Sequence, residues 1–355
     1  MEPSKLQADL VDGVLVANLV GVELFNRSPT LVYTVDGVRV EASSGSRAES
    51  SRALQARLVE LHMPFSLAPS LTALLPVELL PGAGTAQLVR PALCSEHAPL
   101  RVNLVLSVRA SALRAAFYED EDERADEKRA EQWAFESRVL LELRCRRRRQ
   151  SFQFTFVDYD GSLQLAAAIA PQRPAGGGRS AGVLVSLSGT SISAQNQADS
   201  HKHMPRGASD YVFGYERLWL LAPNRHGAHN WDAVGLRSVR SALAALARLV
   251  NSQPHLRMRL FAQLLLVSCT RTRVRTTEAL FGARVHEEHV LLAGHSMGAH
   301  GAWHLATHYP DLVVGLVAQA GWIAKEQYGV DNAFFRYAHS CKYTLSYTHV
   351  IGLHR

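Results

Sequence analysis

The stretch VLLAGHSMGAHGAWHLATHYPD, residues 290–311, decides how the second half of this chain folds. Its opening apolar letters are typical of a buried β-strand, and the residues after GHSMG have the composition of a helix. The five residues between them, Gly294 to Gly298, must reverse the chain sharply. Glycines at both ends of this turn are expected, because side chains there would collide with the tightly folded backbone. The sequence therefore predicts a strand, a sharp turn and a helix, in that order.

The turn matches the pattern G-x-S-x-G, which lifts a serine hydroxyl above the edge of a sheet. We expect Ser296 to be a nucleophile, with Gly294, His295 and Gly298 completing the turn. The following helix directs free N–H groups towards the serine, so the N–H of Met297 could bind an oxyanion. The pattern also fits an ordinary strand-to-helix turn in another α/β protein, and it leaves both interpretations open.

A second apolar run, GVLVSLSGT (182–190), ends abruptly in small polar residues, as a buried parallel strand does. The backbone of Gly189 and Thr190 is expected to supply the other half of an oxyanion hole, because that half comes from the loop after an earlier strand. An ordinary loop glycine is the alternative interpretation.

Residues 151–355 show strands alternating with helices, which predicts a parallel α/β sheet. A strand, a turn at 158–161 and a second strand open this region. The next predicted elements are strands at 182–190, 216–223, 289–294 and 312–321 and a helix at 232–250. Asp232 is a plausible N-cap of that helix. Segment 259–288 is longer than such links usually are, and we expect it to be an insertion over the sheet edge.

Residues 1–150 are predicted to form a β-rich accessory domain. TLVYTVDGVRVEA (30–42) consists of two alternating runs around Asp36-Gly37, which indicates a β-hairpin. The other predicted elements are strands at 99–108 and 137–145 and a charged helix or loop at 117–132.

Composition places the chain among globular proteins, with 47% hydrophobic residues, 20% charged residues and a net charge of +6. The basic run Arg144–Arg149 has no interleaved aromatic residues, which favours a solvated strand end over nucleic-acid binding. The four cysteines lie far apart, which argues against a zinc site or a disulfide framework. No apolar run approaches the ~18 residues of a membrane span, and no signal peptide is recognisable, so a cytoplasmic location is the default expectation.

Four stretches together resemble the prolyl-oligopeptidase-like branch of the α/β-hydrolase superfamily: VLVSLSGT, LWLLAPNRHGAHNW, AGHSMGAHGAWHLATHYPD and AQAGW. The resemblance covers residues 151–328 and implies a mostly parallel sheet flanked by helices, preceded by a β-rich domain. It also implies serine peptidase or esterase chemistry on small-molecule or peptide acyl substrates, without a metal or organic cofactor. Ser296 would be the nucleophile, and Met297 and the backbone at 189–190 would form the oxyanion hole. Ser188 stands where many relatives carry a histidine.

In this superfamily an acid and a histidine follow the serine on later strands. Residues 322–355 cannot comfortably supply two more strands with their crossovers, so we expect the fold to be incomplete at the C-terminus. The strand at 312–321 would then expose an apolar edge and invite aggregation. Asp331 is the preferred acid in the tail, and His354 is the preferred base. The remaining tail candidates are Glu326, His339 and His349.

Three histidines recur at steps of four on the predicted helix: His300, His304 and His308. No acidic residue falls at a matching spacing, so we expect no metal and a helix edge that faces solvent. His226 and His229 follow a predicted strand together with Asn230 and Trp231. These residues could line a pocket or could form a capping loop.

The leading hypothesis is therefore a serine hydrolase of the peptidase or esterase type, which acts through an acyl-enzyme on Ser296. The alternative is a catalytically inactive, truncated hydrolase that acts as a binding or structural protein or has no function. Nucleic acid is not an expected partner.

Overall fold

The structure, a computed structural model, describes residues 5–42, 54–59, 65–81, 98–112, 133–173, 180–225, 227, 229–251, 284–323 and 349–352. The chain divides into two compact units, Met1–Arg146 and Arg147–Arg355. Across the described ranges, no helix is both long enough and apolar enough to cross a membrane.

The described residues of the first unit form strands joined by turns and loops, in keeping with their alternating apolar pattern. The strands are β1 (Lys5–Leu6), β2 (Leu10–Val11), β3 (Val14–Leu15), β4 (Leu19–Phe25), β5 (Leu31–Ala42), β6 (Leu54–Leu58), β7 (Phe65–Leu67), β8 (Thr72–Pro81), β9 (Leu100–Ala112), β10 (Trp133–Leu143) and β11 (Cys145–Arg146). They form three sheets with the orders β1-β4-β8-β6, β10-β9-β5-β7 and β11-β2-β3. Buried valine and leucine side chains from these strands form a shared apolar core.

The segment around Asp36-Gly37 is not a hairpin, so that prediction is wrong. β5 continues through it and pairs antiparallel with β9, with a bulge between Val35 and Gly37. β9 is 13 residues long, which is enough to pair with both halves of the expected hairpin. Asp36 accepts hydrogen bonds of 2.7 and 2.6 Å from Arg109 on β9. Asp36 is the extra residue of this bulge. A continuous strand is favoured over a hairpin because pairing along the whole of β9 forms more backbone hydrogen bonds than a turn would.

The basic run at 144–149 has two different environments. Arg144 donates hydrogen bonds of 2.8 and 2.9 Å to the carboxylate of Asp9, which is buried. The predicted solvated strand end is confirmed for residues 147–149, which are exposed. Arg144 differs, because it forms an ion pair with the buried Asp9.

Cys145 is disulfide-bonded, and its partner lies outside the described residues. The sequence spacing argued against a disulfide framework, and it gave no indication of this single disulfide at Cys145. Sequence spacing fails here because a disulfide needs only that two Cα atoms come close in the fold. Disulfides persist mainly in oxidising compartments, and the cytoplasmic location stays a prediction.

The second unit contains a seven-stranded sheet with the order β12-β13-β17-β14-β18-β19-β20. Its elements are β12 (Phe152–Val157), β13 (Leu163–Ile169), β14 (Ser180–Leu187), α1 (Ala194–Asp199), β15 (Lys202–His203), β16 (Val212–Phe213), β17 (Leu218–Pro223), α2 (Val234–Asn251), β18 (Arg284–His295), α3 (Met297–His308), β19 (Val313–Gln319) and β20 (His349–Gly352). β15 and β16 form a separate two-stranded ribbon. Helices α2 and α3 both contact β18.

The seven-stranded sheet is mixed, so the prediction of a mostly parallel sheet is wrong. Strands β17, β14, β18 and β19 are parallel to their neighbours in this group. The pairs β12–β13, β13–β17 and β19–β20 are antiparallel. The β12–β13 connection at 158–162 is too short for a parallel crossover, which needs a dozen or more residues. Together with the sheets of the first unit, most described strand pairs are antiparallel.

The last predicted strand is not the edge of this sheet. β20 pairs with β19, with Ala318 opposite His349 and Gly315 opposite Gly352. The expected apolar edge at 312–321 is therefore covered by another strand along these residues. From the sequence alone, a further strand was expected to need a long crossover connection. β20 is antiparallel to β19, and an antiparallel neighbour can be reached without such a crossover.

The predicted elements of this unit match the observed positions closely, but strands β15 and β16 were not predicted, and there are three further differences. Helix α2 begins at Val234 rather than directly after Asp232, whose carboxylate lies against His300 instead. Residues 284–288 belong to β18 rather than to an insertion, and 252–283 lie outside the described residues. The short helix α1 was not predicted, although Ser193 caps it by accepting a hydrogen bond from the Asn196 N–H.

Candidate functional site

Ser296 lies at the apex of the turn between β18 and α3, with φ of 55° and ψ of −122°. This is a left-handed φ, which L-residues other than glycine rarely adopt. The Ser296 N–H donates a 2.9 Å hydrogen bond to the carbonyl of Gln319 on the neighbouring strand. The serine hydroxyl does not cap α3. The strained backbone is thus held by the sheet, and the hydroxyl is not used to satisfy the helix.

The glycines of the turn are required by close backbone contacts. A Cβ on Gly294 would overlap the carbonyl group of Gly298, and a Cβ on Gly298 would overlap the carbonyl oxygen of Leu187. The expected collision is therefore present at both positions. His295 is exposed, and Met297 is buried at the first position of α3. The N–H groups of a first helical turn have no partner within the helix, and the Met297 N–H is one of them.

The loop after β14 lies beside this turn. A Cβ on Gly189 would lie 3.5 Å from the His295 carbonyl oxygen and 3.8 Å from the Ser296 Cβ. Thr190 follows and is exposed, and Ser188 precedes and is fully buried. The structure thus brings together the two stretches that the sequence had selected separately.

A hydrogen-bonded chain of four side chains holds α1 and the segment after it against β14. Gln197 donates to the hydroxyl of Ser186 at 2.7 Å, and that hydroxyl lies 2.8 Å from Nε2 of His201. Nδ1 of His201 is 2.9 Å from the Tyr215 hydroxyl. A neutral His201 satisfies every hydrogen bond in this series of side chains. Its Nε2 accepts from the Ser186 hydroxyl, and its Nδ1–H donates to the Tyr215 hydroxyl. Burial lowers the pKa of His201 below its ordinary value, which agrees with a neutral ring.

We expect the unit to lose stability in mildly acidic solution because of His201. Below about pH 6.5, the ordinary histidine pKa, the unfolded chain binds a proton that the folded His201 does not, so the free energy of unfolding falls as pH falls. Urea unfolding between pH 7.5 and 5.5 measures this slope. His201→Gln should reduce the slope, while His203→Gln, at an exposed position, should leave it unchanged. Equal slopes in the wild type and His201→Gln would contradict the assignment.

A second cluster lies one turn along α3 from Ser296. His300 is fully buried, and its Nε2 is 2.8 Å from Oδ1 of Asp232, while its Nδ1 is 2.9 Å from the carbonyl oxygen of Trp322. Nε2 of His304 is 3.6 Å from the same Asp232 oxygen. Burial, with the neighbouring His300 and His308 rings, lowers the pKa of His304 to about 4, although Asp232 opposes this shift. The expected solvent-facing edge is wrong for His300, and the acid missing from the helix comes from the loop before α2.

The loop between β17 and α2 is strained and well packed. Asn230 and Trp231 have φ of 50° and 67°. Trp231 is fully buried, and its Nε1 donates a 2.9 Å hydrogen bond to the carbonyl of Ser188. Nδ1 of His229 accepts a 3.0 Å hydrogen bond from the Trp231 N–H. Trp231 is therefore a packed interior side chain. The choice between a pocket lining and a capping loop stays open for His226, which lies outside the described residues.

Most tail candidates lie outside the described residues: Glu326, Asp331, His339 and His354. His349 is the exception, since its backbone opens β20. Gly294 pairs with Ala318 and Ala318 with His349, so these three residues form one row across the sheet. His349 is therefore placed at the sheet edge where Ser296 lies. Because β20 is antiparallel to β19, it runs from His349 at the Ser296 edge to Gly352, which lies opposite Gly315 and further from that edge.

The sequence matches no known family profile and no curated protein. Among solved structures it is similar to the fluorophosphonate-binding serine hydrolase FphF of Staphylococcus aureus, at 15% identity and a TM-score of 0.31, over 53% of this chain and 64% of that chain. A thermostable esterase is 13% identical, with a TM-score of 0.28, over 90% and 77%. A prolyl endopeptidase is 11% identical, with a TM-score of 0.28, over 92% and 36%.

These neighbours are serine hydrolases and esterases, and the chain spans less than two thirds of the FphF length. The TM-scores lie below 0.5, so these similarities carry no argument about the fold or the site. Both rest on the strand order and the side-chain geometry of this chain alone.

Proposed function

We propose that the second unit is an α/β-hydrolase domain and that the protein is a serine hydrolase of the peptidase or esterase type. The observation that carries the proposal is the backbone of Ser296, with φ of 55° and ψ of −122° between a strand and a helix. A strained serine in this position is the defining feature of the nucleophile turn of these enzymes. Strain of this kind costs on the order of 1–3 kcal/mol and is kept chiefly at functional sites.

The strand order supports the same proposal. From β14 the chain continues to β17 on one side, and β18 lies on the other side of β14. Ligands of open α/β sheets bind at the carboxyl ends of strands where the strand order switches direction in this way. Gly189 follows β14 and Ser296 follows β18, so both lie at such a switch point.

The chemistry follows from these positions. The Ser296 oxygen attacks the carbonyl carbon of an ester or amide, and its proton passes to a base. The resulting oxyanion is bound by the N–H of Met297 and by the backbone at Gly189 and Thr190. The intermediate collapses to an acyl-enzyme and releases an alcohol or amine that takes up the proton. Water then hydrolyses the acyl-enzyme, and no metal or organic cofactor takes part.

We further propose that His349, rather than His354, supplies the base. Its position in the row with Gly294 and Ala318 supports this, because a base must reach the serine at the same edge of the sheet. The acidic partner is expected to be Asp331 or Glu326. The preference for His354, derived from the sequence, is not tested, because residue 354 lies outside the described residues.

Labelling with a fluorophosphonate probe tests the proposal. The full chain is expected to be labelled, and Ser296→Ala is expected to abolish labelling, because only an activated serine reacts. Ser200→Ala is a matched control, since Ser200 is an exposed serine in the same unit. An absence of labelling in protein with a cooperative thermal transition would refute the hydrolase proposal and would favour a catalytically inactive binding or structural protein.

A further inference from the structure

The histidine–carboxylate cluster consists of Asp232, His300 and His304. One ligand atom of each lies within 4.8 Å of the others. The side chain of His300 is fully buried, while those of Asp232 and His304 are 13% and 15% exposed. The cluster is therefore mostly buried, and Asp232 and His304 keep some contact with solvent. The proposed hydrolase mechanism uses none of its three residues.

The hydrogen bonds of His300 fix where its proton lies. The carbonyl oxygen of Trp322 can only accept, so Nδ1 of His300, 2.9 Å away, must carry a hydrogen. The Nε2 atom then points at a carboxylate oxygen of Asp232 at 2.8 Å. Two acceptors at that distance need either a proton or a metal ion between them.

His304 favours the metal ion. It lies four residues after His300 on the same face of α3, and its Nε2 is 3.6 Å from the oxygen that faces His300. Two histidines at this spacing on one helix are the arrangement by which helical zinc sites present two ring nitrogens to one ion. A proton shared by His300 and Asp232 alone would not use His304, whose Nε2 faces the same Asp232 oxygen.

We propose that Asp232, His300 and His304 bind one divalent transition-metal ion, and that Zn²⁺ is the cation that fits this ligand set. Two histidines and one carboxylate, with a water molecule in the fourth position, form a known class of zinc site. Ligand atoms at tetrahedral zinc lie about 3.3 Å apart. Oδ1 of Asp232 lies 2.8 Å from Nε2 of His300 and 3.6 Å from Nε2 of His304, one distance slightly below that value and one slightly above it.

The second bond of His300 supports the proposal. Ligating histidines usually donate their other N–H to a carboxylate or backbone carbonyl, which fixes the ring and its tautomer. Trp322 supplies that carbonyl, and its ring also stacks on His300 at 4.7 Å between centroids. The ring of His300 is thus already held in the orientation that a metal ion would require.

A bound ion would also fasten the loop between β17 and α2 to the helix that starts after Ser296. Trp231, next to Asp232, bonds to the carbonyl of Ser188 in the loop after β14. A Cβ on Gly301 of α3 would overlap the Trp231 side chain, so this loop already touches the helix. Metal binding is therefore expected to raise the melting temperature of the unit.

Titration of the full chain with Co²⁺ tests the site directly. Protein freed of metal with a chelator is expected to bind one equivalent of Co²⁺, with the visible absorption of a tetrahedral complex, and Zn²⁺ should displace it. His304→Ala should weaken Co²⁺ binding at least about tenfold. His308→Ala is the matched control, since His308 is exposed one turn further along the same helix face, and it should bind Co²⁺ as the wild type does.

Two outcomes would overturn the proposal. One is folded wild-type protein that shows neither the absorption nor a rise in melting temperature with Zn²⁺, which would leave His300 and Asp232 as a proton-bridged pair. The other is an equal loss in His304→Ala and His308→Ala, which would indicate surface chelation by histidines. Asp232→Asn provides a second test if His304→Ala does not fold. These readouts do not depend on hydrolysis, so the metal site and the hydrolase proposal can fail separately.

Discussion

Replacement of His349 by alanine is expected to lower ester hydrolysis by at least about 10⁴-fold, because removal of one member of a serine–base pair costs this much. The reason is chemical: without a base, the Ser296 hydroxyl keeps its proton and is a poor nucleophile. The expectation depends on the row formed by Gly294, Ala318 and His349, which places this histidine at the serine edge. The measurement is kcat/KM for a p-nitrophenyl ester.

The matched variant is His354→Ala. It removes the same side chain five positions later and is expected to keep the activity of the wild type within about twofold, because the proposed mechanism gives His354 no role. Circular dichroism and a thermal melt of both variants show whether either change unfolds the protein. Loss of activity in His354→Ala with full activity in His349→Ala would show that the base was assigned to the wrong histidine.

Gly298→Ala is expected to destabilise the second unit strongly, by about 3 kcal/mol, the upper end of the usual cost of overpacking. The added methyl group would overlap the Leu187 carbonyl oxygen, and it would also lie 3.1 Å from the Ser188 carbonyl carbon. These are backbone atoms of β14 and its loop, so no side chain can move aside. Either α3 or the end of β14 must shift, and either shift separates Ser296 from the loop at Gly189.

Gly189→Ala is the control for this prediction. Its methyl group would make only ordinary contacts, of 3.5 Å to the His295 carbonyl oxygen and 3.8 Å to the Ser296 Cβ. Stability should therefore change by less than about 1 kcal/mol, while hydrolysis should fall because the methyl group crowds the oxyanion position. Thermal and urea unfolding of both variants decide the matter, and equal stability of Gly298→Ala and the wild type would disprove the steric argument.

The strand and helix positions of the second unit could be predicted from sequence because they depend on local patterns. Apolar runs mark β14, β17, β18 and β19. The spacing of apolar residues at steps of three and four marks α2, and these residues are all buried: Leu236, Val239, Leu243, Leu246 and Val250. The turn at Ser296 could be predicted for the same reason. Strand, pentapeptide and helix are adjacent in the chain, and the need for glycine at 294 and 298 is a property of a tight backbone turn.

The tertiary structure decided everything that depends on which segments become neighbours. Asp36-Gly37 has the local signature of a turn, but pairing with β9 made it a bulge within a strand. Asp232 is 68 residues from His300 in sequence, so no spacing on α3 could have revealed the acid beside it. The sequence alone favoured His354 as the base, and only the pairing of His349 with Ala318 favours His349 instead. Hydrophobic periodicity is a local property of the chain, whereas strand order, register and side-chain clusters depend on contacts between distant residues, and these form only when the sheet is assembled.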